Sequence, residues 1–302
     1  KSLRMRTFLV VFLAAAAVAA GQPASPAVMA AAVERMERYR ITPNITYLTS
    51  SGYDNKLDVY QFQTPKPNAT LIYIHGGGWA GGPSKEQYQH WFLPFLHMGW
   101  NVVNVEYRSS AIALAPAAVE DCLCALRWVY KNAKQYNIDT TRLVTMGHSA
   151  GGHLALTTGM IPASAELDRE CPGPEDLKVA AIVNWFGITD VADVVDGVNT
   201  KTYAVKWFAA MPNRKEVARR VSPLTYVRAG LPPIITIHGD ADPTVPYAHA
   251  VQLHEGLNTA KVSNELVTVK GGKHGGFGVK PMQDAYVSIF DFLGKLNLRA
   301  TE

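Results

Sequence analysis

Gly147-His148-Ser149-Ala150-Gly151-Gly152 joins two segments of opposite character. Residues 143–146 before it are strand-forming, and residues 154–156 after it are helix-forming. A serine on a sharp turn from strand to helix has its hydroxyl held out of the sheet, and only small residues two positions to either side let the backbone turn there. The pattern is short enough to arise by chance, so alone it makes Ser149 only a candidate nucleophile.

Length and composition indicate an ordinary globular protein. The chain has 302 residues, 48% hydrophobic and 18% charged, which suffices for one large core or a core with a cap. The net charge of +4 comes partly from Lys1, Arg4 and Arg6, and no block of Lys or Arg follows. We therefore expect no nucleic-acid partner.

The first residues have the pattern of a secretory signal peptide. Basic residues 1–6 precede an apolar run over 8–20, and Gly21-Gln22-Pro23 follows. We expect cleavage after Ala20, export to the periplasm or medium, and no stable membrane span in the mature chain. The alternative is an uncleaved anchor, for which the run is short. Residues 21–40 are predicted to form a linker and a short helix, the helix over residues 33–39.

Residues 41–302 are predicted to form one catalytic domain. Apolar runs alternate with amphipathic ones, which predicts a mostly parallel α/β sheet covered by helices on both faces. An antiparallel edge should precede it. The strands expected at that edge are 44–48 and 57–62, and the parallel strands are 71–74, 102–106, 142–146, 179–184, 233–238 and 265–269. The clearest helices are 116–136 and 282–296.

Two segments lack this alternation. Residues 161–177 are rich in proline, glycine and acidic residues, and 189–228 have the pattern of short helices around Trp207-Phe208. Both follow strands on the side of Ser149, where a small helical lid would lie.

The acid and base of a hydrolytic triad have candidates in the order Ser, Asp, His. Asp242 follows the strand at 233–238, and Pro243 restricts its backbone to an extended conformation. The competing carboxylate, Asp240, better suits a turn aspartate that bonds its own backbone. His274 lies in a glycine-rich loop after the last strand, and a histidine's ordinary pKa suits proton transfer near neutral pH.

An oxyanion hole is predicted after the strand at 71–74, in His75-Gly76-Gly77-Gly78-Trp79. Glycines allow backbone N–H groups to approach a substrate oxygen closely. We expect Gly77, Gly78 and Ala150 to be the donors, each worth about 3 kcal/mol in the transition state. The rival phosphate-binding interpretation lacks a Gly-Lys pair and an acidic ribose partner. Aromatic residues after the strands are further candidates for lining the substrate pocket. They are Trp79, Trp185 with Phe186, and Trp207 with Phe208.

Cysteine usage leaves two interpretations open. An exported chain can form a disulfide between Cys171 and either Cys122 or Cys124, or all three can be buried free thiols. No cluster of His and Cys has the spacing of metal ligands, so no metal is expected.

Together these motifs resemble the α/β-hydrolase serine esterases, in the branch of hormone-sensitive-lipase-like, feruloyl-esterase-like and arylformamidase-like enzymes. The resemblance spans about residues 44–296 and implies an eight-stranded α/β-hydrolase fold, no cofactor, and hydrolysis of a small-molecule ester through an acyl-enzyme. Lipase-like members usually read Tyr-Arg-Leu-Ala-Pro, whereas this chain reads Tyr107-Arg108-Ser109-Ser110-Ala111. That departure favours the feruloyl-esterase and formamidase side.

The expected function is therefore hydrolysis of carboxylic esters, either short-chain or aromatic, of the feruloyl or acetyl type. One alternative is an amide hydrolase, either an arylformamidase or a peptidase, on the same triad. Another is a non-catalytic hydrolase-like binding protein, which would typically lack part of the triad. The oligomeric state cannot be inferred from the sequence.

Overall fold

A computed structural model describes residues 26–81 and 85–301. The predicted signal peptide at 1–20 lies outside these residues, as does the start of the predicted linker. The helices are α1 Pro26–Glu37, α2 Leu93–His97, α3 Ala117–Asn132, α4 Ala150–Met160, α5 Val191–Asp196, α6 Thr202–Phe208, α7 Arg214–Arg220, α8 Tyr247–Thr259 and α9 Val279–Lys295. The strands are β1 Tyr39–Ser50, β2 Tyr53–Phe62, β3 Asn68–Ile74, β4 Asn101–Val105, β5 Ile138–His148, β6 Ala181–Trp185, β7 Ile234–Gly239 and β8 Asn264–Val269.

The strands form one eight-stranded sheet in the order β1-β2-β4-β3-β5-β6-β7-β8. β1 pairs antiparallel with β2, and β2 pairs antiparallel with β4. The remaining pairs, from β4 to β8, are parallel. The predicted fold class, a mostly parallel α/β sheet with an antiparallel edge, is confirmed.

The central strands are predominantly apolar because helices cover both faces of the sheet. Every residue of β3 and β4 is buried. Helices α3, α4 and α8 contribute to the core on one face, and α2 and α9 to the core on the other. In a parallel sheet the strands end at the same edge, so the loops that follow them meet there, outside both cores.

The antiparallel edge differs from its prediction. The short helix expected over residues 33–39 ends at Glu37, and β1 then runs from Tyr39 rather than from residue 44. Register shifts between Thr42 and Ile45 and between Thr46 and Leu48 mark bulges in β1. Such bulges break the two-residue alternation by which a strand is recognised, which explains the missed start.

A disulfide joins Cys124 of α3 to Cys171, and Cys122 is a buried free thiol. Of the pairings left open by the sequence, the structure therefore contains Cys124–Cys171. In the part of the chain that the structure describes, we find no helix with the length and apolarity required to cross a membrane.

Candidate active site

Ser149 lies at the junction of β5 and α4. Its backbone has φ 56° and ψ −122°, a left-handed conformation that side chains other than glycine rarely adopt. Two of the neighbouring glycines are required by close packing. A Cβ on Gly147 would overlap with the carbonyl of Gly151, and one on Gly151 would overlap with the carbonyl of Ile74. The turn therefore lifts the serine side chain above the carboxyl edge of the sheet.

His274 bridges the serine and an aspartate. Its Nε2 lies 2.9 Å from the Ser149 Oγ, and its Nδ1 lies 2.8 Å from the Asp242 Oδ2. The ring of Phe186 stands edge-on to the imidazole at 4.7 Å between centroids. The three predicted residues, which are up to 125 positions apart in the chain, thus lie within hydrogen-bonding distance of one another.

Asp242 is held as a carboxylate by three hydrogen-bond donors and by a close contact with His238, whose Nε2 also lies 3.1 Å from the Val245 carbonyl oxygen. Its Oδ1 accepts the backbone N–H groups of Thr244 at 2.7 Å and Val245 at 3.0 Å, and its Oδ2 accepts from His274. The Nε2 of buried His238 lies 3.3 Å from the same Oδ2. Burial alone would raise the pKa of Asp242, but the interactions with His238 and His274 outweigh it and hold the pKa far below its usual range.

Asp240, the competing carboxylate, is engaged elsewhere. It accepts the backbone N–H of Gly271 at 2.6 Å and pairs with exposed Lys270 at 3.1 Å. It therefore closes the turn between the loops after β7 and β8, the structural role that suits a turn aspartate.

Two of the three predicted oxyanion donors line the pocket that contains Ser149, and the third follows Ser149 in the chain. Gly77 and Gly78 line the same pocket as Ser149, with φ values of +114° and +62°. Ala150 begins α4, where the first N–H groups of a helix have no partner within the helix. Within the described ranges, the N–H groups of Gly77 and Gly78 donate to no protein acceptor. These amides are therefore free to bind a substrate oxygen.

A pocket of about 520 Å³ opens above Ser149. Its walls combine glycine backbone with aromatic rings and histidines, and among residues 26–81 and 85–301 no aliphatic side chain lines it. The lining side chains other than the triad are those of Tyr88, His90, Trp91, His148, Phe186, Tyr203 and Thr244. Phe186 was a sequence candidate for the pocket and does line it, while His148 and Thr244 lie in the motifs of Ser149 and Asp242. The remaining four side chains carry no local motif, so sequence reasoning missed them.

The three tryptophans expected in the pocket are not in its walls, which corrects that prediction. Trp79 and Trp207 are fully buried and stack on each other at 4.2 Å between centroids. Trp185 is equally buried and packs against Trp91 and Tyr286. All three belong to the two cores because large apolar rings pack inward where space allows.

The two segments expected to form a lid have different positions. Residues 161–177 are fixed to α3 by the Cys124–Cys171 disulfide and by an ion pair between Arg127 and Asp168, and none of them lines the pocket. From residues 189–228, only Tyr203 of α6 reaches the pocket, where it adjoins Gly78. A covering role is thus restricted to the second segment.

The arrangement is suited to acyl transfer. The imidazole can take the proton of the serine hydroxyl and later give it to the leaving group, so no base from solution is needed. The carboxylate holds the other ring nitrogen and so keeps the imidazole in position. In the part of the chain that the structure describes, no group of His, Cys, Asp and Glu is arranged to hold a metal ion.

Comparison with known proteins supports the same chemistry. Residues 57–257 match the family model described as BD-FAE. The esterase LipQ of Mycobacterium tuberculosis is 25% identical over 254 residues, which are 80% of this chain and 60% of LipQ. This chain therefore spans about three-fifths of the length of that relative.

Two solved structures are similar over most of both chains. A truncated carbohydrate esterase from gut microbiota is 26% identical with a TM-score of 0.76, covering 86% of this chain and 98% of that one. The thermophilic esterase Est2 of Thermogutta terrifontis, with propionate bound, is 26% identical with a TM-score of 0.72, covering 88% and 97%.

Proposed function

The chain belongs to the BD-FAE family of α/β-hydrolase esterases, and on that premise we propose that it is a carboxylic ester hydrolase whose triad is Ser149, His274 and Asp242. The observation that carries the proposal is the continuous contact from the Ser149 Oγ through both nitrogens of His274 to the Asp242 carboxylate. The esterase relatives and the propionate complex of Est2 support the same reaction class.

In the proposed reaction, His274 Nε2 takes the Ser149 proton as Oγ attacks the acyl carbon of the ester. The carbonyl π electrons move to oxygen, and the N–H groups of Gly77, Gly78 and Ala150 stabilise that oxyanion. Collapse breaks the bond to the alkoxy oxygen, which leaves as the alcohol with the proton from His274. Water then repeats the sequence on the acyl-enzyme and releases the acid.

Asp242 orients and stabilises the base in this scheme. Its Oδ2 accepts the Nδ1–H of His274, so the other nitrogen faces the serine as an acceptor. When His274 becomes positively charged, the adjacent carboxylate stabilises it. The low pKa of Asp242 keeps that carboxylate ionised throughout the pH range in which histidine titrates.

The test is the Ser149→Ala variant with p-nitrophenyl acetate as substrate. We expect kcat to fall by roughly 10⁴- to 10⁶-fold because the nucleophile is lost, with the fold retained. Circular dichroism and the melting temperature check the fold. A fluorophosphonate should label the wild type at Ser149 and leave the variant unlabelled. Unchanged turnover in the variant would refute the assignment.

For the substrate, we propose short-chain or aromatic acyl esters. The support is a pocket walled by Tyr88, Trp91, Phe186 and Tyr203, whose flat rings suit small or planar groups. Assaying esters in parallel with a formyl anilide and an aminopeptide substrate separates this proposal from amide hydrolysis on the same triad.

We also propose that the protein acts outside the cytoplasm. The basic and apolar residues 1–20 have the order of a signal peptide, and the Cys124–Cys171 disulfide suits an oxidising compartment. Fractionation of cells that express the full sequence tests this. Recovery of the uncleaved chain in the cytoplasm would contradict it.

A further inference from the structure

His148 has no part in the triad, yet it lines the pocket and directly precedes Ser149 in the chain. It is 7% exposed, and its Nδ1 lies 2.8 Å from the hydroxyl of Tyr73, a residue of β3. A buried histidine with one occupied nitrogen raises the question of which nitrogen carries the proton and what the other one faces.

The contact with Tyr73 determines which nitrogen of His148 carries the proton. Tyr73 is fully buried, and within the described ranges its hydroxyl has no hydrogen-bond partner besides the Nδ1 of His148. Burial raises the pKa of Tyr73 well above its usual range, so the hydroxyl keeps its proton and must donate it to Nδ1. Burial also lowers the pKa of His148 to about 3. The ring is therefore neutral, and its single proton is on Nε2.

The other ring nitrogen, Nε2, faces the glycine loop after β3. A Cβ on Gly76 would lie 2.6 Å from it, so Nε2 lies against the residue that precedes the proposed oxyanion donors. In the described part of the chain this N–H has no acceptor, and it is not among the unpartnered atoms that are closed off from solvent. Because His148 lines the pocket, we take the pocket as the space from which a ligand reaches this N–H.

The ring that carries this donor is held rigidly. The indole of Trp91 stacks on it in parallel, at 4.7 Å between centroids and 12° between planes, and the ring of Tyr88 lies 4.8 Å away. A fixed donor discriminates between substrates more strongly than a mobile one because folding has already restricted its position, so little conformational entropy is lost on binding.

We propose that the Nε2–H of His148 is a specificity-determining donor that binds an uncharged oxygen acceptor, such as an ether, hydroxyl or carbonyl oxygen, beside the scissile ester of the substrate. The proposal rests on the proposed ester hydrolysis. It adds a substrate class, esters with an oxygen near the reacting group, that this pocket favours over the matching alkyl esters.

The first test reads the proton position without using activity. Nitrogen-15 NMR of the histidine side chains in the full protein should show His148 with its proton on Nε2 near neutral pH. In Tyr73→Phe, which keeps the ring but removes its donor, the proton should redistribute toward Nδ1. A proton on Nδ1 in the wild type would overturn the proposal.

The second test compares substrates that differ only by an oxygen in place of a methylene. The pairs are p-nitrophenyl methoxyacetate with p-nitrophenyl butyrate for the acyl half, and 2-methoxyethyl acetate with butyl acetate for the alcohol half. Each ratio of kcat/KM is compared between the wild type and a variant, so the intrinsic reactivity of the esters cancels.

The variant is the double substitution Tyr73→Phe and His148→Phe, which removes both partners of a buried hydrogen bond and replaces both with rings of similar shape. We expect the oxygen-to-methylene ratio to fall roughly threefold to tenfold in at least one pair, the size expected for one neutral hydrogen bond. The pair that responds identifies the half of the substrate that His148 contacts. Melting temperatures verify folding.

Ratios that stay unchanged in both pairs would overturn the proposal. If kcat/KM then falls equally on all four esters, the substitutions affect the reaction in general rather than the recognition of an oxygen. Wild type inactive on every ester would instead refute the proposed function, and the NMR measurement would still stand. The single variant Tyr73→Phe is the matched control, and its ratio should fall by less than that of the double variant.

Discussion

Ser149 combines a predictable position with an unfavourable backbone. The pattern of small residues around it made it the candidate nucleophile, and the structure places it in a left-handed conformation at φ 56°. Strain of this kind costs on the order of 1–3 kcal/mol and persists only where surrounding packing enforces it. At this residue, function and stability are therefore expected to oppose each other.

Comparing Ser149→Gly with Ser149→Ala measures this strain. Both variants lack the nucleophile, but only alanine retains the Cβ that makes the conformation unfavourable. We expect the glycine variant to be more stable by about 1 kcal/mol in urea unfolding, the reverse of the usual order. Ala150→Gly, one residue later and inside α4, should show the usual order and lose stability. A glycine variant less stable than the alanine variant would contradict the strain argument.

The low pKa of Asp242 leads us to expect that the free energy of unfolding depends on pH in a specific way. Its pKa is lower in the folded protein than in the unfolded chain, so its contribution is complete above the unfolded pKa of about 4 and is lost as the pH falls toward the folded value. Asp242→Asn has no such contribution. The difference in unfolding free energy between wild type and variant should therefore narrow as the pH is lowered from 7 to 3. A difference that stays constant would show that the carboxylate is not stabilised by its neighbours.

Among the elements, regular ones were predicted well and irregular ones poorly. The parallel strands were recognisable because a continuous apolar run indicates a strand that is buried on both faces. In the structure, β3 and β4 are buried in this way. The bulged β1 was placed only in part because its alternation is interrupted. Trp79 and Trp185 were misplaced because a sequence shows that a ring is large but not which way it faces at a strand end.

The tether between α3 and the segment at 161–177 gives a prediction at this scale. Cys124 and Cys171 are 47 positions apart, so the disulfide restricts a long loop in the unfolded chain. Cys171→Ser should lower the unfolding free energy by about 2–4 kcal/mol. Activity at 25 °C should remain, since neither cysteine lines the pocket. Dithiothreitol should lower the melting temperature of the wild type and leave that of the variant unchanged. An equal response of both would contradict the assigned pairing.

At the scale of the whole molecule, the sequence order of the motifs predicted where they would meet. Ser149, Asp242 and His274 follow β5, β7 and β8, whose carboxyl ends lie at one edge of the sheet. The convergence of these three side chains was therefore predictable from strand order and turn chemistry. The pocket was not, because Tyr88, Trp91 and Tyr203 come from connections whose positions depend on packing across the molecule.

Those pocket walls predict how activity depends on acyl length. Trp91 is confined between His148 and Trp185, so it cannot readily move aside for a longer chain. We expect kcat/KM for p-nitrophenyl esters to be highest between acetate and butyrate and to fall at least tenfold by octanoate. Trp91→Ala should raise the octanoate-to-acetate ratio of kcat/KM because it removes part of the pocket wall. Tyr88→Ala, which removes a smaller ring, should raise that ratio as well. Trp207→Phe, which alters a core ring away from the pocket, should leave that ratio unchanged. A preference for octanoate in the wild type would contradict the claim that the packing of Trp91 limits the length of the acyl chain.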